Sequence, residues 1–438
     1  MRQKADADVI VAGAGPAGAT AARSLARAGV RVLLVERDPL PRQKPCGGGI
    51  STRVLTRFPW LSDPLRQIAH NPVSSLYLEG PSGDVFRKQT NGPVIILIRR
   101  IDFDYMLVSL ARDAGATILS PAAIAQATED ADGVTLRTRD GRELRAPMVI
   151  AADGVNSVIA RRLGMNPGWP AARLALDMME ETPVSTLRTA EPQTLSVFYG
   201  YGGAHGYAYI FPKRAHVNVG IGYMLPYFKE RVANSKSASP KSTNPKSDVT
   251  PYDLQQQFVG GLRARGLVEG ESDRAHFTPF LIPIGGPLRT TAQGRVLLAG
   301  DAGGFVNGFS AEGIYYAMVT GELAADAVLG ARRDGVIAPA QARRAYGRAW
   351  RHEIGAELRD SVLIQKYLLN CPPRMDRVVR GARRRPEFSE ILVDYASGRL
   401  SYGAARRKLL WHFPKLLPQL AWQAIRGGSD IIREPQHG

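Results

Sequence analysis

Residues Asp8 to Glu36, DVIVAGAGPAGATAARSLARAGVRVLLVE, decide the fold, because they spell a strand, a glycine turn, a helix and a second strand without interruption. Asp8 to Ala12 is a short apolar run suited to burial on both faces of a parallel sheet. Gly13, Gly15 and Gly18 follow at the spacing of a dinucleotide cradle. The first permits the tight turn, the second lets a pyrophosphate reach the backbone, and the third lets helix and strand pack closely. Free amides at the helix start bind the anion, so Ala17 contributes main chain rather than side chain. Arg31 to Val35 forms the second strand, and Glu36 closes it 23 residues after Gly13. A carboxylate there accepts from both hydroxyls of an adenosine ribose and repels a 2'-phosphate. By itself the stretch does not decide between FAD and NAD.

The remaining composition sets bounds. A chain of 438 residues, 44% of them hydrophobic, can bury a large core and divides into two or three domains. Lys plus Arg outnumber Asp plus Glu by 57 to 40, a net charge of +17 that favours anionic partners. No basic stripe interleaved with stacking aromatics is present, which argues against nucleic acid. Cys46 and Cys371 are the two cysteines, too few for a disulfide framework, so a reducing, cytoplasmic compartment is expected. MRQKADADVIVAGAG leads directly into the first strand with no signal-type segment, and no window reaches about 18 consecutive apolar residues. The expectation is a soluble or peripheral protein.

Further along, RDPLPRQKPCGGGIS is too rich in Pro and Gly for a regular element. It gathers Pro41, Lys44, Cys46, Gly47, Gly48 and Gly49, and consecutive glycines suit backbone lying against a planar group. Cys46 there is a proton donor, a nucleophile or a small packing group. Strands are expected over 73–98, then a helix after Arg100, which either reaches a cofactor or pairs with Asp102 or Asp104. Strands over 118–128 and 134–138 follow. Pro147 to Asp153-Gly154 reads as a buried strand ending in an acid-glycine turn, aimed at the same sheet edge as the first turn. Aromatic alternation over 171–224 predicts an antiparallel sheet. Residues 233–249, rich in Ser, Lys, Pro and Asn, read as a mobile insertion, and Thr250-Pro251 restarts a helix. Gly294 to Asp301 returns to the first domain, ahead of a helix from about Ala311. From 336 the chain is helical and basic. In its tail Leu409, Phe413, Leu416, Leu417 and Leu420 fall at helical spacing beside Arg406, Arg407, Lys408 and Lys415, which suits an anionic membrane interface or a cap on the protein's own core.

The Gly13 to Glu36 unit, the Asp153-Gly154 turn and the Gly300-Asp301 strand end together resemble the flavoprotein hydroxylase superfamily with the para-hydroxybenzoate hydroxylase fold. Pro41-Arg-Gln-Lys44-Pro-Cys46-Gly47, Tyr207-Ala-Tyr209-Ile-Phe211-Pro212-Lys213 and Ala311-Glu312-Gly313-Ile314 narrow the likeness to the geranylgeranyl reductase family. The likeness runs to about residue 330. One departure is Tyr209, where the family pattern carries tryptophan.

The resemblance implies an α/β fold: a Rossmann-like FAD-binding domain from 1–72, 98–165 and 285–335, an antiparallel-sheet substrate domain from 73–97 and 166–284, and a helical region over 336–438. It implies FAD held by Gly13, Gly15, Ala17, Gly18, Glu36, Cys46, Gly47, Gly49, Arg100, Ile124, Asp153, Asp301, Gly313 and Ile314. Cys46 is also the implied catalytic or gating group. Tyr207, Tyr209 and Phe211 would line a lipid cavity, with Lys213 meeting a phosphorylated head group. The implied reaction is saturation of isolated carbon-carbon double bonds in an isoprenoid lipid, with NAD(P)H or a ferredoxin-like protein as reductant. Rival readings are a monooxygenase or halogenase of the same fold, a quinone-linked electron carrier, and a flavin-free scaffold.

Overall fold

The computed structural model describes residues 5–237, 250–397 and 399–412. Val9–Ala12 is completely buried at the centre of a parallel sheet, between Met148–Ala151 on one side and Val32–Val35 on the other. Thr117–Leu119 extends the sheet beyond Val32–Val35, and Val296–Leu298 extends it beyond Met148–Ala151. The carboxyl ends of these strands lie at one edge, which is where ligands collect in open α/β sheets. The helices Pro16–Arg27 and Ile314–Gly330 pack on one face with Arg100–Asp113. The antiparallel strands Ile124–Glu129, Val134–Thr138 and Glu143–Ala146 form a separate small sheet.

A seven-stranded sheet stands apart from this layer. Its order is Phe277–Pro283, Leu174–Pro183, His216–Met224, Gly206–Pro212, Thr194–Tyr199, Ser75–Glu79 and Val85–Gln89. All neighbours run antiparallel except Thr194–Tyr199 with Ser75–Glu79. Period-two alternation gives it two faces. One packs Met178, Ile210, Val219 and Ile221 against the helix Pro251–Ala264. The other turns toward the nucleotide-binding layer. C-terminal helices, Pro339–Trp350, Ala356–Leu368, Pro372–Arg384, Pro386–Ser397 and Tyr402–His412, complete the described chain.

Several local expectations change. The 118–128 stretch is two strands in different sheets, divided around Ser120 and Pro121. Ile95–Ile98 leaves the large sheet to pair with Gly49–Ser51 and His70–Val73. Within the expected mobile insertion, residues 233–237 continue the helix Leu225–Ser237, while 238–249 lie outside the described residues. Thr250 does restart order: its hydroxyl accepts from the Asp253 amide at 3.2 Å while Asp253 accepts from the Thr250 amide at 2.8 Å. Of the basic tail, only the part up to His412 is described. There Leu409 lines the cavity, while Arg406 is exposed and pairs with Asp360 at 2.9 Å; Phe413, Lys415, Leu416, Leu417 and Leu420 lie outside the described residues.

Candidate active site

The strand ends and the inner face of the seven-stranded sheet enclose a cavity of about 1860 Å³. Single-ligand pockets run to about 1,000 Å³, so there is room for a nucleotide and a second molecule. At its floor, Gly13 has φ +95°, and a Cβ there would stand 2.3 Å from the Ala152 carbonyl. A Cβ on Gly18 would lie 1.8 Å from the Gly13 carbonyl, so this glycine packs behind the turn and does not line the cavity. Gly15 and Ala17 do line it, at the start of the helix Pro16–Arg27. The space before Gly15 is flanked by the guanidinium groups of Arg42 and Arg100, each 3.8 Å from where its Cβ would be. Main-chain amides, a helix N-terminus and two cations therefore converge where a pyrophosphate would sit.

Glu36 is buried, and its carboxylate accepts from the Ala14 amide at 2.9 Å and the Asp38 amide at 3.2 Å. Arg42 links it to Asp104, with separations of 3.1 Å and 3.0 Å. Asp104 also takes a bidentate pair from Arg100, at 2.6 Å and 2.8 Å. Sequence leaves Arg100 between a cofactor and an acid; in the fold it faces the cavity and is held by Asp104 at once. Arg42 is a site residue that the sequence does not single out, although it stands within the quoted loop motif. Its signal is its place beside Pro41, visible only once Glu36 and Asp104 are known to converge.

Asp153 lines the cavity, but one carboxylate oxygen caps the helix Val158–Arg162 through the Val158 amide at 2.8 Å. Its other oxygen is buried with no hydrogen-bond partner among the described residues. Burial, outweighing bonds from Ser157 and the helix amides, pushes this carboxyl up from its ordinary range. Asp301, Ile124, Gly313 and Ile314 also line the cavity, the last two at the N-terminus of the helix Ile314–Gly330. That end supplies amides and a positive dipole where an electron-rich ring edge would lie.

The loop through Cys46, Gly47 and Gly49 forms the junction with the second sheet. A Cβ on Gly47 would lie 2.7 Å from the Phe211 ring, so the loop approaches the aromatic wall as closely as main chain allows. The Cys46 sulfur accepts from the Gly48 amide at 3.3 Å. Beyond it the walls are Leu76, Leu78, Leu195, Val197, Tyr199, Tyr207, Tyr209 and Phe211, continuing to Tyr367, Leu368, Leu409 and Leu410 of the C-terminal helices. The Tyr207 hydroxyl donates to the Ser310 carbonyl at 2.7 Å.

Lys213 requires correction. It does not line the cavity; it is 4% exposed, pairs with Glu181 and donates to the Cys46 carbonyl at 3.4 Å. Burial pulls its ammonium below the ordinary lysine range despite Glu181. It braces the Cys46 loop from behind and is not available to a head group.

A nucleotide fits this arrangement on three structural grounds: the side-chain-free approach at Gly13 and Gly15, the paired guanidiniums, and the Glu36 carboxylate at the end of Val32–Val35. The fold and site thus define a dinucleotide-dependent flavoprotein, and the family described as "FAD binding domain" matches residues 6–319. Digeranylgeranylglycerophospholipid reductase 2 of Methanothermobacter thermautotrophicus is 30% identical over 374 residues, covering 82% of this chain and 87% of that protein. Geranylgeranyl diphosphate reductase of Rhodobacter capsulatus is 27% identical, covering 93% and 94%. Among solved structures, a geranylgeranyl bacteriochlorophyll reductase-like protein from Thermoplasma acidophilum superposes with a TM-score of 0.73 at 21% identity, covering 95% of this chain and 98% of that one. The chain belongs to the geranylgeranyl reductase family of FAD-binding oxidoreductases.

Proposed function

We propose that this protein is an FAD-dependent reductase that saturates isolated carbon-carbon double bonds of a geranylgeranyl-type isoprenoid. The observation that carries the reading is the continuity of one cavity from the Gly13 cradle past Cys46 into an apolar chamber walled by the large sheet and the C-terminal helices. An isolated alkene has no carbonyl to polarise it, so the reaction needs close placement, a dry environment and an acid. When bound, FAD supplies the hydride equivalent. Gly13, Gly15 and Ala17 hold its pyrophosphate, with Arg42 and Arg100, and Glu36 holds the ribose. The Cys46 to Gly49 loop and the Gly313 helix end bracket the ring. The aromatic and aliphatic walls exclude water and align the isoprenoid chain.

Electrons come from NAD(P)H or a ferredoxin-like protein. No helix among the described residues is long and apolar enough to cross a membrane. A lipid substrate and the basic C-terminal helices support peripheral docking on an anionic bilayer. Arg377, Arg383 and Arg384 on the helix Pro372–Arg384 are exposed, while Met375, Val379 and Ala382 of the same helix are buried. Salt-sensitive binding to anionic vesicles tests this.

The reaction is tested by anaerobic incubation of reduced, FAD-loaded protein with geranylgeranyl diphosphate. Mass spectrometry reads gains of two hydrogens per bond. Hydroxylated product in air, with no saturation without oxygen, would assign the chain to monooxygenation instead.

A further inference from the structure

We propose that Asp177 is the acid that protonates the substrate carbon, with Tyr209 as its positioning residue. This inference rests on the double-bond reduction proposed above. Such a reduction requires an acid facing the apolar part of the cavity, and the carboxylates that line it are mostly committed elsewhere. Glu36 serves the nucleotide cradle, Asp153 caps a helix, Glu312 pairs with Arg53, and Asp360 pairs with Arg406. Asp177 differs. It projects from the strand Leu174–Pro183 onto the apolar and aromatic inner face of the sheet, and is 6% exposed.

Its surroundings are built to hold it. In register, Asp177 stands opposite Gly222 of the next strand, and Tyr209 of the strand beyond stands opposite Gly220. The Tyr209 ring lies across Gly220, where a Cβ would be 2.5 Å from the ring carbon bearing the hydroxyl. Only a strand without side chains at that point lets the phenol cross it. The Tyr209 hydroxyl reaches both Asp177 oxygens, at 3.2 Å and 3.1 Å. On the opposite side Asp177 pairs with Phe280, and the Lys44 ammonium stands over that ring, 3.0 Å from its centroid.

This set serves both protonation states. Burial pushes the Asp177 carboxyl up to about 7, against the Tyr209 hydrogen bonds and the Lys44 charge, so a proton is present near neutrality. The step balances simply. The hydride equivalent from the reduced flavin forms a C–H bond at one alkene carbon. The π electron pair takes the Asp177 proton at the other carbon, and the O–H bond breaks to leave a carboxylate. Tyr209 then donates to that carboxylate, Lys44 offsets its charge, and water restores the proton after product leaves.

The experiment compares wild type, Asp177→Asn, Asp177→Glu and Tyr209→Phe as FAD-loaded proteins, with flavin content read from the visible spectrum. Single turnovers with geranylgeranyl diphosphate are followed across pH, and the infrared band of a protonated carboxyl is followed over the same range. Expected is a rate loss of roughly a hundredfold or more in Asp177→Asn at unchanged flavin content, with partial recovery in Asp177→Glu. The infrared band should vanish in Asp177→Asn. In Tyr209→Phe its midpoint should move upward, because the lost hydrogen bond favoured the charged form. A wild type that saturates the probe while Asp177→Asn does so equally fast overturns the role of Asp177 alone, as does an infrared band that survives the substitution. A wild type that saturates nothing overturns the reaction itself.

Discussion

Replacing Asp177 by Asn should change how stability depends on pH by an amount the structure sets. A carboxyl raised from 3.8 to about 7 binds its proton more tightly folded than unfolded. Below the unfolded value both states are protonated and nothing is lost. As pH rises, the unfolded chain ionises while the folded one cannot, so wild-type stability falls until the folded carboxyl also titrates. Raising a carboxyl by about three pH units, at roughly 1.36 kcal/mol for each, makes that loss about 4 kcal/mol between roughly pH 4 and roughly pH 8. Asn has nearly the same volume, and its amide oxygen still accepts from Tyr209. The variant, compared with wild type, should therefore gain about 4 kcal/mol of relative stability across that window. Glu180, also pushed up to about 7 by burial, is common to both proteins and drops out of the difference. Urea unfolding of the two proteins at matched pH values measures it. A stability difference that stays flat with pH would refute the reasoning, because it would mean that Asp177 titrates as an ordinary carboxyl.

Other perturbations follow from single contacts. Gly220→Ala should push the Tyr209 ring off its strand, destabilising the protein by about 1–3 kcal/mol and displacing the Asp177 infrared midpoint. Arg42→Ala removes the cation between Glu36 and Asp104, leaving two buried acids without it; FAD affinity by titration should fall about tenfold or more. Gly13→Ala should yield protein without bound flavin, since its Cβ would collide with the Ala152 carbonyl at a backbone angle alanine avoids. Glu357→Gln should lower stability in urea by about 2 kcal/mol, because Glu357 accepts from Arg53, Tyr316 and Tyr395, at 2.8, 2.6 and 2.6 Å.

The nucleotide cradle is legible in the sequence because its physics is local. Turn, helix start and acidic strand end lie within a single βαβ run, and each residue's role follows from its neighbours in sequence. Asp177 is not legible in that way. In LALDMMEETP it is one of three acids on a strand, and its neighbours across the sheet, Gly222 and Phe280, arrive long after it. Lys213 misleads for the same reason. A lysine closing an aromatic motif looks available until register brings Glu181 against it. The split of 118–128 into two strands is likewise a matter of which sheet each half joins, and alternation alone does not carry that.

Residues 363 to 410 supply the last wall of the chamber, and they leave the ribosome after everything they cover. Until then the inner face of the large sheet is an open trough of tyrosine, leucine and phenylalanine side chains, large enough to invite association with other chains. Removing the final helices should therefore produce insoluble protein sooner than a slow enzyme.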